Sequence, residues 1–239
     1  MRRSILSIAA IVMLLGQLSA QSQEHLLSFT LRGGYTTTSK VFYNPDSPSP
    51  DLRGQYNGID NLYGLGFELR LVIPAYSVAL TLAAEYLSKS DEKTQLVGFL
   101  NPPRALPVKE GLRLIPIELG ALIFVPLGSD RVRLTMGGGL GAYIGERYLT
   151  IAGVEAAQQN KPVSYGIHVE MSFDYRITPK LFARADMRFR DPEFTTESRF
   201  SQQATQYGGV LILLPRDPFR ARINVNGMNF GVGVGFEIF

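Results

Sequence analysis

Cysteine and tryptophan are both missing from this 239-residue chain, and histidine occurs only as His25 and His168. Without thiols there is neither a disulfide framework nor a thiolate metal site. With so little histidine, a metal site would need mostly carboxylate ligands, and none is expected. Long apolar runs are scarce as well. Beyond residue 20 no stretch supplies the roughly 18 uncharged apolar residues of a transmembrane helix. Yet 45% of the chain is hydrophobic, too much for a disordered polymer. That apolar surface has to be buried in a protein core or in lipid.

The first twenty residues, MRRSILSIAAIVMLLGQLSA, have two leading arginines, an apolar run from Ile5 to Leu15, and small residues Ser19 and Ala20. This layout predicts a secretory signal peptide over 1–20, leaving one domain over 21–239. The segment carries two of the 24 Lys+Arg and none of the 21 Asp+Glu, so the remainder sits near neutrality, at +1. No basic run elsewhere suggests a nucleic-acid partner.

Apolar residues alternate with polar or small ones through nearly all of the remaining chain, the signature of half-buried strands. Eight segments show it: about 26–37, 61–73, 77–88, 111–125, 131–148, 163–177, 181–190 and 224–238. The sixth, VSYGIHVEMSFDYRI, is the clearest, with Val163, Tyr165, Ile167, Val169, Met171, Phe173, Tyr175 and Ile177 in one phase. Connections alternate in length. PAY (74–76), PLGSD (126–130) and TPK (178–180) are short, whereas 38–60, 89–110, 149–162 and 191–223 are long. Up-and-down strands would gather the long loops at one end, as in outer-membrane barrels.

The opposite phase indicates which face is enclosed. It carries Arg32, Glu68, Arg70, Glu85, Glu118, Arg133, Thr135, His168, Glu170, Asp174, Arg176, Arg184, Asp186, Arg188 and Glu237. Rows of glycine (137, 139, 141 and 231, 233, 235) share it, while all the lysines fall in loops, turns or strand margins. A water-facing sheet has little use for glycine rows, which weaken strands. A small closed barrel does, because its interior is only just wide enough for side chains. The charged residues above are therefore expected to form an ion-pair network in a filled lumen, with the apolar phase turned to hydrocarbon. Tyr35, Tyr63, Tyr86, Tyr148 and Tyr165 would form one aromatic girdle near the loop ends, and Tyr175 and Phe236 the other. The fold class expected is all-β, an eight-stranded antiparallel up-and-down transmembrane barrel.

Two stretches carry a resemblance. In LRLIPIELGALIFVPLGSDRVRLTMGGGLGAYIGERY (112–148) an Ile-Pro-Ile strand, a short turn and a glycine-rich strand follow one another. The C-terminal stretch NFGVGVGFEIF alternates apolar residues and ends on Phe239. With the signal peptide and the loop alternation, the chain resembles the small OmpA/OmpX-type outer-membrane β-barrel proteins. The resemblance implies a Gram-negative-type outer membrane, lipid contact, and recognition of the last strand by the barrel-insertion machinery. Phe239 departs from the usual pattern, because the outward phase ends at Ile238.

Other features weigh less. His168-x-Glu170 invites a hydrolase reading, but it shares the lumen phase. GGGLGA (137–142) matches a dinucleotide fingerprint in sequence, yet no helix pattern follows it. Val210, Leu211, Ile212, Leu213 and Leu214 form an apolar run inside the last long loop. They are expected to pack on LVGFL (96–100) as a cap, or else to bind an extracellular partner. The function expected is non-enzymatic, with no cofactor: a barrel anchoring loops for envelope integrity, adhesion or partner binding. The alternatives are a lipid-modifying barrel enzyme, a narrow pore and a soluble periplasmic lipocalin-like binder.

Overall fold

A computed structural model describes residues 27–97, 104–127, 129 and 131–238. The expected signal peptide, His25 and Phe239 lie outside the described residues. The chain begins with β1 (Leu27–Thr36), β2 (Lys40–Phe42), the single-turn helix α1 (Pro50–Arg53), β3 (Tyr56–Gly58) and β4 (Leu62–Ile73). A tight reversal at Pro74–Tyr76 leads to β5 (Val78–Val97), β6 (Arg104–Val125), β7 (Val132–Ile151) and β8 (Val154–Gln158). Then come β9 (Val163–Arg176), β10 (Leu181–Arg190), β11 (Glu193–Phe200) and β12 (Ala204–Tyr207). Last are β13 (Val210–Leu213), β14 (Phe219–Asn224) and β15 (Met228–Glu237).

Eight of these strands close a ring in the order β1, β4, β5, β6, β7, β9, β10, β15, with β15 returning to β1. Neighbours are antiparallel throughout, so no edge is left open within the ring. The expected segments and the ring strands coincide in number, order and approximate position. The pleat sends apolar residues outward: Leu65, Leu140, Ile167 and Val232 stand on the outer surface, at 75%, 68%, 73% and 69% exposure. Glu170 and Asp174 are buried inside. The lipocalin alternative required the reverse arrangement.

The long loops expected at 89–110, 149–162 and 191–223 are largely strand. β5, β6 and β7 continue well past the apolar belt, and the pattern inverts as they do. Below the boundary, Tyr86, Ile115 and Ile144 point outward, and the next outward residues are Ser88, Arg113 and Glu146. Inward positions become apolar instead, with Leu87, Leu112 and Leu114 fully buried. The pleat continues unchanged. What changes is the solvent outside, from hydrocarbon to water, so the apolar side chains move to the enclosed face.

β7 passes this upper wall on through a two-residue turn to β8, and β8 pairs with β11, β11 with β14, β14 with β2 and β2 with β3. This second sheet leans over the mouth of the ring as a cap. Because 219–224 pairs with β11, the last barrel strand begins at Met228, later than the expected residue 224. β12 and β13 form a separate hairpin, with Gly208 and Gly209 at φ +58° and +75° making a type I′ reversal.

Candidate functional site

The interior is built in tiers. At the turn end Phe182, Leu122 and Ala79 are fully or almost fully buried. The Phe182 ring lies under two guanidinium groups, those of Arg184 at 5.0 Å and Arg133 at 5.9 Å. A side chain at Gly235 would collide with that ring. Arg133 and Arg176, expected inside the network, sit at this rim with partly exposed side chains, and both pair with Glu237.

The middle tier is ionic. Glu68 is the hub: it accepts from Arg70 at 2.8 Å, from Arg184 at 2.5 Å and from Arg188. Arg184 also grips both oxygens of Asp174, at 2.6 and 2.8 Å. Arg188 reaches Glu170 at 3.2 Å and Glu118 at 3.3 Å. Arg32 donates to Asp186 at 2.5 and 3.1 Å and to Asn229 at 2.7 Å, and lies 3.4 Å from Glu85. Strand register places these partners side by side, for example Arg184 against Asp174 and Arg188 against Glu170. The glycine rows make the space, since a methyl at Gly231 would meet Arg32 and Asp186. His168 is buried beside Gly120, whose added methyl would stand 3.2 Å from His168 Nε2.

Sequence reasoning left Arg190 and Tyr143 unnamed. Arg190 is fully buried and donates to Glu85 at 2.7 Å. It shares the phase of Arg184 and Arg188, so alternation alone could have found it. Thr135 and Ser172 share a hydroxyl contact at 2.6 Å and both accept from Arg70. Tyr143 donates to Glu118 at 3.1 Å and turns its ring towards the apolar tier above.

That upper tier joins Leu62, Leu87, Leu112, Leu114 and Tyr143 of the ring to Val41, Phe194, Ala221 and Ile223 of the cap. Above it Glu110 and Arg147 pair at 2.6 and 2.8 Å. Tyr43 and Asn57, from the cap, donate to the second Glu110 oxygen at 2.7 and 3.0 Å. Burial pushes the Glu110 carboxyl up, but the Arg147 charge and these hydrogen bonds outweigh it and hold it below the usual carboxylate range. Burial and the adjacent Glu110 charge raise the Tyr43 phenol.

The apolar run 210–214 divides between two environments. Ile212 and Leu214 are buried against Leu106, Val108, Leu149, Ile151 and Phe200. Leu211 and Leu213 stand 62% and 65% exposed, with Tyr207 and Val210 at the hairpin tip. The expected partner for this packing, 96–100, lies outside the described side chains.

The comparisons with known proteins fit this geometry. OprG from Pseudomonas aeruginosa shares the architecture, at 14% identity over 89% of this chain and 96% of that one, with a TM-score of 0.57. The fold is that of a small outer-membrane β-barrel. The expected likeness to OmpA/OmpX-type barrels is borne out at that level. OmpT protease from Escherichia coli (7% identity, 92% and 99% coverage, TM-score 0.48) and Ail from Yersinia pestis (11%, 89% and 99%, 0.47) are too distant to support more. No family model matches the sequence. No curated protein matches it either. The fold, the apolar outer belt and the enclosed charges are together those of a transmembrane β-barrel of the outer-membrane type.

Proposed function

We propose that this is a non-enzymatic outer-membrane protein whose barrel holds a rigid, cored β-cap outside the cell for adhesion or partner binding. One observation carries the reading. The ring wall runs without a break into the cap, and Glu110, Arg147, Tyr43 and Asn57 bolt the two together. Such a cap presents its hairpin as a fixed surface, at little ordering cost on binding. The outward face of that hairpin offers Leu211 and Leu213.

The interior supports a wall rather than a channel. A Phe182 plug, an ion-paired centre and an apolar upper tier succeed one another, as expected where eight strands leave room only for side chains. His168 faces this filled interior and not the lipid interface where an acyl ester would be attacked. The test is cell adhesion with Leu211→Ser/Leu213→Ser. The double variant should retain a heat-shifted barrel band and lose attachment. Attachment equal to the parent's would contradict the proposal.

A further inference from the structure

On the outer wall, strands β1, β4 and β15 leave a groove of about 430 Å³. Gly33 forms its floor, and Tyr35, Tyr63, Phe230 and Val232 form its sides. Polar atoms contribute little to this lining. Its position follows from register: Gly33 lies opposite Leu65 on one side and Val232 on the other.

Gly33 differs from the lumen glycines. At Gly34, Gly64 and Gly231 an added methyl would collide with a side chain or the neighbouring backbone. At Gly33 it would meet only the Val232 carbonyl oxygen, at 4.0 Å. Packing therefore does not require glycine here, although a strand glycine costs stability. Nor does a neighbouring ring fold over the gap. Tyr35 is held towards the loop end by its hydroxyl, which donates to Asn61 at 2.6 Å, and Tyr63 leans on Tyr35 with ring centroids 5.3 Å apart. The register runs through Gly33 on both sides without a bulge, and a strand glycine of that kind often marks a place where a ligand or another backbone approaches closely.

We propose that this groove is a binding site for one acyl chain of a membrane lipid, entering beneath the Tyr35–Tyr63 pair. The occupant follows from continuity. The groove opens onto the apolar belt, among Leu31, Leu65 and Val232, and carries no charge that would select a polar ligand. Its mouth lies at the aromatic girdle, where a lipid's ester and head group would meet the two phenols. A chain lying over Gly33 supplies the contacts that a side chain supplies elsewhere on the belt. The inference rests on the apolar face meeting lipid.

Native mass spectrometry of the detergent-purified protein with added dioleoylphosphatidylethanolamine tests it. The parent should retain one phospholipid. Gly33→Leu should lower occupancy by about tenfold, equivalent to withdrawing about two methylenes from contact. Gly33→Val, a good strand former, should lower it less, and Ala142→Leu on the opposite wall should leave it unchanged. A heat-shifted gel band establishes folding for each variant. Equal retention by the parent and both Gly33 variants overturns the site. So does a dimer in the parent that Gly33→Leu abolishes, because a second copy would then fill the groove. Protein recovered without detergent would refute the lipid-facing reading itself. A detergent-dependent barrel that retains no lipid refutes only the groove.

Discussion

Glu68 shows what the enclosed charges do. Three guanidinium groups converge on this one carboxylate, which is almost fully buried. Neutralising it leaves Arg70, Arg184 and Arg188 short of an anion inside a closed wall. Glu68→Gln should lower the unfolding free energy by about 3–5 kcal/mol, read from urea titration in lipid vesicles. Two substitutions on β9 probe the faces separately. Val169→Arg, which puts a cation on the outer surface, should cost about 2–4 kcal/mol. Ser172→Ala loses a hydroxyl bonded to Thr135 and Arg70 and should cost about 1 kcal/mol. The phase of these residues was legible because the alternation never breaks within β9. Arg133 and Arg176 share the phase, but height along the barrel decides their exposure, and period-2 reading carries no height. Arg190 is the last residue of β10 and lies within the expected segment 181–190, in the phase of Arg184 and Arg188, yet it was not named.

The strands that cross and then leave the membrane were only half legible. Alternation persists through β5, β6 and β7, but the apolar residues change phase at Leu87 and Leu114. A reading that follows one apolar phase stops there and assigns the remainder to loops. The cap strands were hidden for another reason. β2, β3 and β8 have three to five residues each, too few to establish a period. At the tip of β7, Ala152 sits at φ +47° beside Gly153 at φ +82°. Ala152→Gly should relieve about 1 kcal/mol of left-handed strain, seen as a higher urea midpoint.

The Glu110 clamp makes the cap sensitive to acid. Its carboxyl is held below the ordinary value, so its contribution is complete above the unfolded pKa, about 4.3. That contribution fades as pH falls from there through the lower folded value. Hydrogen-exchange protection of β2 and β14 amides should therefore drop below about pH 4.3 while the ring amides hold. Glu110→Gln should remove the pH dependence.

Seen whole, the molecule is a sealed cylinder under a β-structured lid. Its fold was legible because a membrane barrel satisfies every backbone group within a closed sheet, whose pleat turns successive side chains to lipid and to lumen. The groove at Gly33 was not, since one glycine in an alternating strand looks like any other until the neighbours' positions are known. With both ends of the interior packed, reconstituted protein should give no steady current in planar bilayers, and stable open levels would argue for a channel.

The most direct test of the account uses the absence of native cysteine. Nitroxide labels placed singly from residue 166 to 174 in bilayer-reconstituted protein report collision with oxygen, which concentrates in hydrocarbon. Accessibility should be high at 167, 169, 171 and 173 and low at 166, 168, 170, 172 and 174. The opposite phase, or no two-residue period, would contradict a barrel that turns its apolar side chains to lipid and encloses its charges.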